Sequence, residues 1–310
     1  MESRKLIVTA SPHITNHTST RGLMLNVCIA LLPALVASTL IFGARALLVT
    51  GVTVAACVGF EALYCVVMKK PVPVGDFSAV VTGMILAFNL PATIPLWIAI
   101  IGAFVAIVVA KQLFGGLGFN FANPALLGRI VLFIGFAGRM TAYAFPQTDI
   151  EALASATPLV AGNSMAGKDM LLQLLLGAHG GVLGETCAVA LILGGIYLIA
   201  TKTISAAIPL SYIGTVAVLS LVLGQDVVLQ LFSGGLLLGA FFMATDYVTS
   251  PFTFTGRIVY GVCLGVITCI IRFYGNMAEG VSFALLLMNL LVPYINDLTR
   301  QKPLGGAKAK

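Results

Sequence analysis

A threonine in a polar segment is the residue of this chain best suited to carry a covalent group. Thr157 lies between Ala156 and Pro158, in a stretch that begins at Glu151 and also contains Ser155. The proline favours a turn and the small neighbours leave room for a bulky planar group, so a modifying enzyme could reach the hydroxyl. An N-cap role for Thr157 or Ser155 at the start of a short helix explains the same residues. Both interpretations stay open on the residues alone.

Polar side chains inside apolar runs are the second group of candidates. Asp246 and Thr249 lie near the end of one run, and Asn120, Asn123 and Arg129 lie near the start of another. An ionisable residue at membrane depth costs roughly 3 kcal/mol and is a functional candidate by default. These residues could therefore line a polar path through the protein.

Each of these residues also has a structural explanation. Asp246 could be solvated at a membrane boundary or pair with Arg257. Asn120 and Asn123 could satisfy backbone groups freed at a helix break, and Arg129 could extend to the inner surface. The sequence does not choose between the two roles.

The elements that position these residues must lie in a lipid bilayer. Of the 310 residues, 59% are hydrophobic and 9% are charged, whereas globular chains have about 45–50% and about 25%. So few charges cannot coat a soluble surface. The composition excludes a soluble enzyme, a nucleic-acid module and a disordered tail. The net charge of +6 then indicates how the chain is oriented in the membrane, and not binding to a polyanion.

Other site chemistry finds no support in the sequence. All six cysteines lie in apolar runs without a C-x-x-C pair, so neither a disulfide framework nor a metal site made by this chain alone is indicated. His13, His17 and His179 are expected at membrane interfaces and not as ligands. No G-x-G-x-x-G fingerprint follows a strand, so we expect NAD to bind elsewhere.

Apolar windows predict an all-α membrane protein of about ten transmembrane helices in a single domain, residues 1–310. A helix needs about 20 residues to cross about 30 Å of hydrocarbon. The third window is short and ends at Asn89-Leu90-Pro91, which favours a broken or half-depth helix. The ten windows are residues 23–42, 45–68, 77–90, 95–113, 121–138, 182–200, 206–223, 229–245, 257–273 and 280–296.

Basic residues favour one side of this arrangement. With the N terminus inside, thirteen of the seventeen Lys and Arg residues fall on the inner side, against Arg45, Arg139, Lys168 and Arg272 outside. Because cytoplasmic loops carry the excess, both termini are predicted to be cytoplasmic. The long connection at residues 139–181 is then external, and loops of that length tend to be functional.

The two halves of the sequence show a weak internal similarity. Gly115-Gly116 is followed by Gly128-Arg129, and Gly234-Gly235 is followed by Gly256-Arg257. Membrane transport folds often arise from duplicated halves. The two copies need different insertions to align, so a repeat and a chance recurrence of Gly-rich helix starts both remain open.

The segment around Thr157 resembles the flavinylation motif of the family that contains the D subunit of the Rnf complex and the B subunit of the sodium-pumping NADH:quinone oxidoreductase. In that family an acidic residue lies six positions before a Thr in a segment that ends Ala-Thr-Pro-Leu, and FMN is joined to this Thr by a phosphoester bond. Here Glu151 stands where Asp is usual, and Ala154 where Ser or Thr is common. The implied cofactor-binding residues are Thr157, Glu151, Ser155, Ala156 and Pro158.

Four further segments extend the resemblance over nearly the whole chain. The segment that begins at Gly118 is also similar to the selectivity region of urea transporters, which implies a fold of that kind. The segments are Ser11-Pro12-His13 with Arg21-Gly22-Leu23-Met24, Asp76-Phe77-Ser78 with the five residues after it, Gly118-Phe119-Asn120 through Ala125, and Phe242 through Asp246 to Pro251.

The resemblance implies a multi-pass subunit of an ion-translocating oxidoreductase in the cell membrane. Such a complex couples electron transfer from ferredoxin to NAD⁺ to Na⁺ or H⁺ transport. Ferredoxin and NAD bind other subunits, the outer face holds a second subunit that carries FMN, and no nucleic acid is involved. A noncovalent riboflavin between helices, as in the quinone-reducing relative, stays open. The residues implied for that second flavin or for an ion path are Asn120, Asn123, Arg129, Asp246 and Thr249.

Two other functions remain as alternatives. A solute channel like the urea transporters fits the ten helices and the Gly118-Phe119-Asn120 segment, but it needs no covalent acceptor in an external loop. A membrane scaffold without a cofactor shares every feature except a modified Thr157.

Overall fold

A computed structural model describes residues 19–143, 170–177, 179–185, 187–275 and 280–300. Within these ranges the chain is helical and contains no β-strand. The predicted all-α class is therefore confirmed.

Four helices are long and apolar enough to cross a membrane. They are α1 (Thr20–Phe42), α2 (Ala44–Val67), α12 (Phe254–Tyr274) and α13 (Gly280–Leu298). Between 28% and 44% of the most apolar window of each helix is buried inside the protein. The remaining surface is apolar and exposed, as expected for side chains that face lipid.

Five apolar helices of 10–17 residues complete the core of the described chain. At about 1.5 Å per residue, the shorter ones cross only part of the hydrocarbon, so irregular backbone must lie at membrane depth. They are α3 (Ser78–Phe88), α4 (Leu96–Gln112), α5 (Pro124–Gly135), α8 (Ala188–Ala200) and α9 (Ala207–Val222).

The shorter segments lie at breaks and connections. They are α6 (Ala137–Met140), α7 (Met170–Leu176), α10 (Val227–Phe232) and α11 (Leu236–Leu238), which continues as the π-helical turn Gly239–Met243. Each of the ten predicted windows contains helix, and the third, α3, ends at Phe88 as a half-depth helix.

Two predicted windows are wrong in detail. The window at 182–200 becomes helical only at Ala188, and the residues before it pair with the end of α3. The amide of Gly184 donates to the Phe88 carbonyl at 2.8 Å, and that of Leu183 donates to the Leu90 carbonyl at 3.0 Å. These bonds satisfy backbone groups that a broken helix leaves free, which apolarity alone cannot reveal.

The window at 229–245 is interrupted at residues 233–235. Gly234 and Gly235 take φ angles of 74° and 67°, a left-handed conformation that favours glycine. The chain therefore forms α10, breaks, and resumes as α11. The proposed internal repeat is not decided by this break and stays a prediction.

The long connection at residues 139–181 is described only at its two ends. Its C-terminal part contains α7, which packs against α8 and α10. Thr157, Glu151, Ser155, Ala156 and Pro158 lie outside the described residues.

Helices α9 and α12 form the most extensive helix pair. Gly261 and Gly265 lie four residues apart on the face of α12 that meets α9. A Cβ atom on Gly265 would lie 2.6 Å from Cβ of Thr215, so a larger residue would force the helices apart. Small residues at this spacing are a common device for close packing in membranes.

Candidate functional site

A cavity on the predicted cytoplasmic half brings together several of the sequence candidates. Helices α1, α3 and α8 and the residues that follow α11 form its walls, and Asn120, Asn123 and Asp246 line it. Thr249 belongs to the same place, because its hydroxyl donates to Asp246 at 3.2 Å. The structure therefore unites four of the five residues predicted for a polar path.

Asp246 is half-buried at the edge of this cavity. It does not pair with Arg257, whose Nε donates to the Pro251 carbonyl at 3.1 Å. The alternative of an Asp246–Arg257 ion pair is therefore wrong. The carboxylate instead accepts from a neighbouring hydroxyl, which leaves it capacity for a further ligand.

The two asparagines bond backbone groups and also line the cavity. Asn123 is the N-cap of α5, since its Oδ1 accepts from the amide of Ala125 at 3.1 Å. Asn120 donates to the Ala122 carbonyl at 3.1 Å. Both side chains are at most 6% exposed and also line the cavity, so backbone satisfaction and a polar lining coexist.

Arg129 does not extend to the inner surface, which corrects the expectation from the sequence. Its side chain is 4% exposed, and its Nη1 donates to Oδ1 of Asn89 at 2.6 Å. Asn89 ends α3 and donates in turn to the Ile85 carbonyl at 2.7 Å. A cation is favourable there, because the end of a helix carries partial negative charge. Arg129 does not line the cavity.

A buried ion pair beside the cavity was missed by the sequence reasoning. Nζ of Lys111 lies 2.7 Å from Oε1 of Glu61, with side chains 3% and 0% exposed. Lys111 also donates to Oγ of Ser78 at 2.6 Å, and Ser78 donates to Asp76 at 2.6 Å. Gln112 donates to the same Glu61 oxygen at 2.9 Å. The Asp76-Phe77-Ser78 signature thus connects to Lys111, which lines the cavity.

A signal for this pair was present in the sequence. Glu61 lies deep inside an apolar window, where an acid is costly and expected to be functional, whereas Lys111 was counted only as an inner basic residue. Lys111 belongs to the π-helical part of α4, Val105–Gln112, and π-helical turns are frequent at functional sites. We call the group lining or joined to this cavity the inner polar site; its members are Glu61, Ser78, Lys111, Asn120, Asn123, Asp246 and Thr249.

A second charged group lies toward the opposite end of the protein, at the break between α10 and α11. Arg272, in the last turn of α12, donates to the carbonyls of Gln230, Ser233 and Gly234 at 2.7, 3.0 and 3.1 Å. A carboxylate oxygen of Glu185 accepts from the amide of Gly234. We call Glu185 and Arg272 the outer clamp. Arg272 also donates to the side-chain oxygen of Gln230 at 3.2 Å. The clamp was not predicted, because most of its partners are backbone atoms.

No metal site appears within the described residues, since no group of three or more His, Cys, Asp or Glu side chains lies together there. The cysteines are free thiols. His179 was expected at an interface but is 2% exposed, with Nδ1 3.2 Å from the Gly180 carbonyl. It is held inside by the irregular segment that packs on α3.

Apolar spanning helices, a discontinuous core and charged groups at membrane depth define a multi-pass membrane protein with a polar internal site. The profile of the NQR2, RnfD, RnfE family matches residues 7–305. The chain belongs to this family, and the resemblance seen in its motifs is confirmed.

Curated relatives match over nearly their full lengths. A protein of Acetobacterium woodii, named as the D subunit of the Na⁺-translocating ferredoxin:NAD⁺ oxidoreductase complex, is 45% identical over 100% of this chain and 98% of its own. A Clostridium ljungdahlii protein named for the proton-translocating complex is 38% identical over 96% of both chains. The D subunit of an ion-translocating oxidoreductase complex from Stutzerimonas stutzeri is 37% identical over 93% of both.

Proposed function

We propose that this chain is the D-type membrane subunit of an ion-translocating ferredoxin:NAD⁺ oxidoreductase complex. The observation that carries the proposal is the 45% identity across the whole chain to a protein named for that role. Two relatives are named for different ions, Na⁺ and H⁺, so the transported ion is left open. NAD is assigned to another subunit of the complex, since this sequence has no dinucleotide fingerprint, and the family resemblance implies the same for ferredoxin.

The electron carrier in this proposal is FMN, joined to the hydroxyl of Thr157 by a phosphoester bond. Its support is the segment Ala156-Thr157-Pro158-Leu159 with Glu151 six positions before the acceptor. The flavin supplies the electron chemistry, while the protein sets its position and its potential. A second FMN-carrying subunit on the outer face would exchange electrons with it.

The inner polar site is proposed as part of the ion path. The cavity has a volume of about 80 Å³, room for a few water molecules at about 30 Å³ each. Sites for drug-sized ligands are typically at least about 300 Å³, so this volume favours an ion with its water over a second, noncovalent flavin. Asp246, Thr249 and Asn120 supply the oxygen ligands that hard cations prefer.

The orientation is proposed from the basic residues, with both termini cytoplasmic and the flavin loop external. Lys111 and Arg129 are buried. Without these two, eleven Lys and Arg residues lie on the predicted inner side and four on the outer side. Two of the four basic residues predicted on the outer side have structural roles. Arg272 holds the helix break, and Arg45 donates to the carbonyls of Ala92 and Ile94 after α3.

A cysteine at Thr148 tests this orientation. In intact cells, Thr148→Cys should react with an impermeant thiol reagent from outside, while the parent protein with its six native cysteines gives the background. Labelling that appears only after lysis would reverse the assignment.

The function itself is tested in inverted membrane vesicles that contain the complex. With reduced ferredoxin and NAD⁺, NADH formation and ion uptake should both require this chain and return when it is restored to a deletion strain. A deletion that leaves both activities intact would contradict the proposal. Passive solute flux without an electron donor would favour the channel alternative, and full electron transfer without any flavin on this chain would favour a scaffold.

A further inference from the structure

A second, polar cavity lies beside the inner polar site, and Ile204, Thr245 and Tyr247 line both cavities. It is bounded by the end of α8, the start of α9 and the first turn of α12. Its volume is about 330 Å³, several times that of a phosphate group. The residues that line it are Ile199, Lys202, Thr203, Ile204, Ser205, Ile208, Thr245, Tyr247, Ser250 and Arg257.

The charge of this cavity has one sign. Lys202 and Arg257 both line it, whereas none of its described lining residues is acidic. The nearby Asp246 lines the other cavity and accepts from Thr249. Two cations facing one space without a counter-charge create a positive potential that attracts anions.

Donors remain available for a ligand. The side chain of Lys202 has no hydrogen bond or ion pair in the described part of the chain, and Arg257 uses only Nε, toward the Pro251 carbonyl. The hydroxyl of Ser250 is likewise without a partner among these residues. An ammonium, a guanidinium edge and a hydroxyl are the donor types that bind phosphate oxygens.

The backbone holds Lys202 at the cavity in an unusual conformation. Its φ angle is 55°, a left-handed value that is uncommon for residues other than glycine. Two backbone hydrogen bonds hold the turn. The amide of Lys202 donates to the Ile199 carbonyl at 3.0 Å, and the amide of Thr203 donates to the Leu198 carbonyl at 2.9 Å. Tyr247 adds a hydrogen bond from its hydroxyl to the Thr203 carbonyl. These hydrogen bonds hold the turn that places Lys202 at the cavity.

Apolar surface surrounds the charged part. Ile199, Ile204 and Ile208 line the cavity, and Phe254, in the same first turn of α12 as Arg257, is 66% exposed. This combination of basic groups and exposed apolar side chains at the end of spanning helices fits the boundary between lipid headgroups and acyl chains. Basic pockets of this kind on the cytoplasmic side bind anionic headgroups.

We propose that this cavity binds the phosphate of an anionic phospholipid headgroup, held by Lys202 and Arg257. The lipid would bridge α8, α9 and α12 beside the inner polar site. A soluble phosphate compound offers the same chemistry, so the experiment separates the two sources.

The test measures binding of fluorescent phosphatidylglycerol to the purified complex in detergent, against phosphatidylcholine. We expect saturable binding of phosphatidylglycerol, weakened about five-fold by Lys202→Gln and more by adding Arg257→Gln, since each basic residue contributes on the order of 1 kcal/mol. Lys202→Arg should retain binding because it keeps the charge. Salt should weaken binding through screening.

Lys69→Gln is the matched control. Lys69 follows α2 on the same predicted side, has a φ angle of 53° and is exposed, but it does not line this cavity. Equal losses in Lys69→Gln and Lys202→Gln would overturn the site, as would equal binding of the two lipids. Inorganic phosphate that displaces phosphatidylglycerol at comparable concentration would overturn the lipid assignment in favour of a soluble phosphate compound.

Discussion

The inner polar site and the outer clamp both place charges at membrane depth, but they bind different kinds of partner. In the inner site Lys111 contacts the side chains of Glu61 and Ser78 and borders a cavity. In the outer clamp Arg272 and Glu185 bind backbone groups of a broken helix. Side-chain partners that border a cavity can rearrange when an ion arrives, whereas backbone carbonyls are fixed by the fold of the chain. We therefore propose a role in ion transport for the inner site and a role in stability for the outer clamp.

Loss of the outer clamp should have the largest effect on stability. Arg272→Gln removes donors to the carbonyls of Gln230, Ser233 and Gly234, and it leaves the Glu185 carboxylate without its nearby cation. We expect a loss of about 3–5 kcal/mol, since hydrogen bonds from a charged group contribute about 1.5–3 kcal/mol each and do not add fully. It should be seen as a lower unfolding temperature of the purified complex.

The control for this variant is Arg139→Gln, which removes an exposed arginine on the same predicted side. It should change the unfolding temperature little, because surface substitutions are usually within about 0.5 kcal/mol. Equal effects of the two variants would end the assignment of Arg272 as a structural clamp.

Variants of the Glu61–Lys111 ion pair should change stability and ion transport independently. Glu61→Gln leaves Lys111 buried without its counter-charge and should destabilise the protein by about 3 kcal/mol. The double variant Glu61→Gln with Lys111→Met removes both charges, so the unfolding temperature should largely recover. Ion uptake should not recover, because the Lys111 charge that lines the cavity is gone. A double variant that pumps normally would reduce the pair to a structural element.

Asp246→Asn should act on transport with little effect on stability. It keeps the side-chain volume but removes the charge at the edge of the cavity, and we expect ion uptake to fall about ten-fold, equivalent to ~1.4 kcal/mol. Flavin content should stay unchanged. Asp226→Asn is the matched control, since Asp226 is the N-cap of α10 and asparagine caps equally well. Equal ion uptake in the two variants would remove Asp246 from the path.

The smallest effect is expected at Arg45, a more exposed version of the outer clamp. Its bonds to the carbonyls of Ala92 and Ile94 measure 3.1 and 3.3 Å, and water can replace them. Arg45→Gln should cost about 1 kcal/mol, measured by the same thermal unfolding. A loss as large as that of Arg272→Gln would show that exposure does not set the difference between the two arginines.

The positions of the helices were predictable because apolar length is a local property of the sequence. The end of α3 at Asn89 and the cap of α5 at Asn123 follow from residues that lie beside the break. The pairing of Glu61 with Lys111 joins residues 50 positions apart, and no local pattern specifies such a partner. The break at Gly234 and the inward position of Arg129 depend on tertiary contacts for the same reason.

The proposed covalent attachment of FMN to Thr157 can be measured by the intact mass of the purified subunit. Wild-type protein should carry the added mass of one FMN in phosphoester linkage, which persists through denaturation. Thr157→Val keeps the side-chain shape but removes the acceptor oxygen, so this variant should have the mass of the bare chain, while Ser155→Ala should keep the flavin. A wild-type subunit without the added mass, or a Thr157→Val subunit that retains it, would show that Thr157 does not carry FMN.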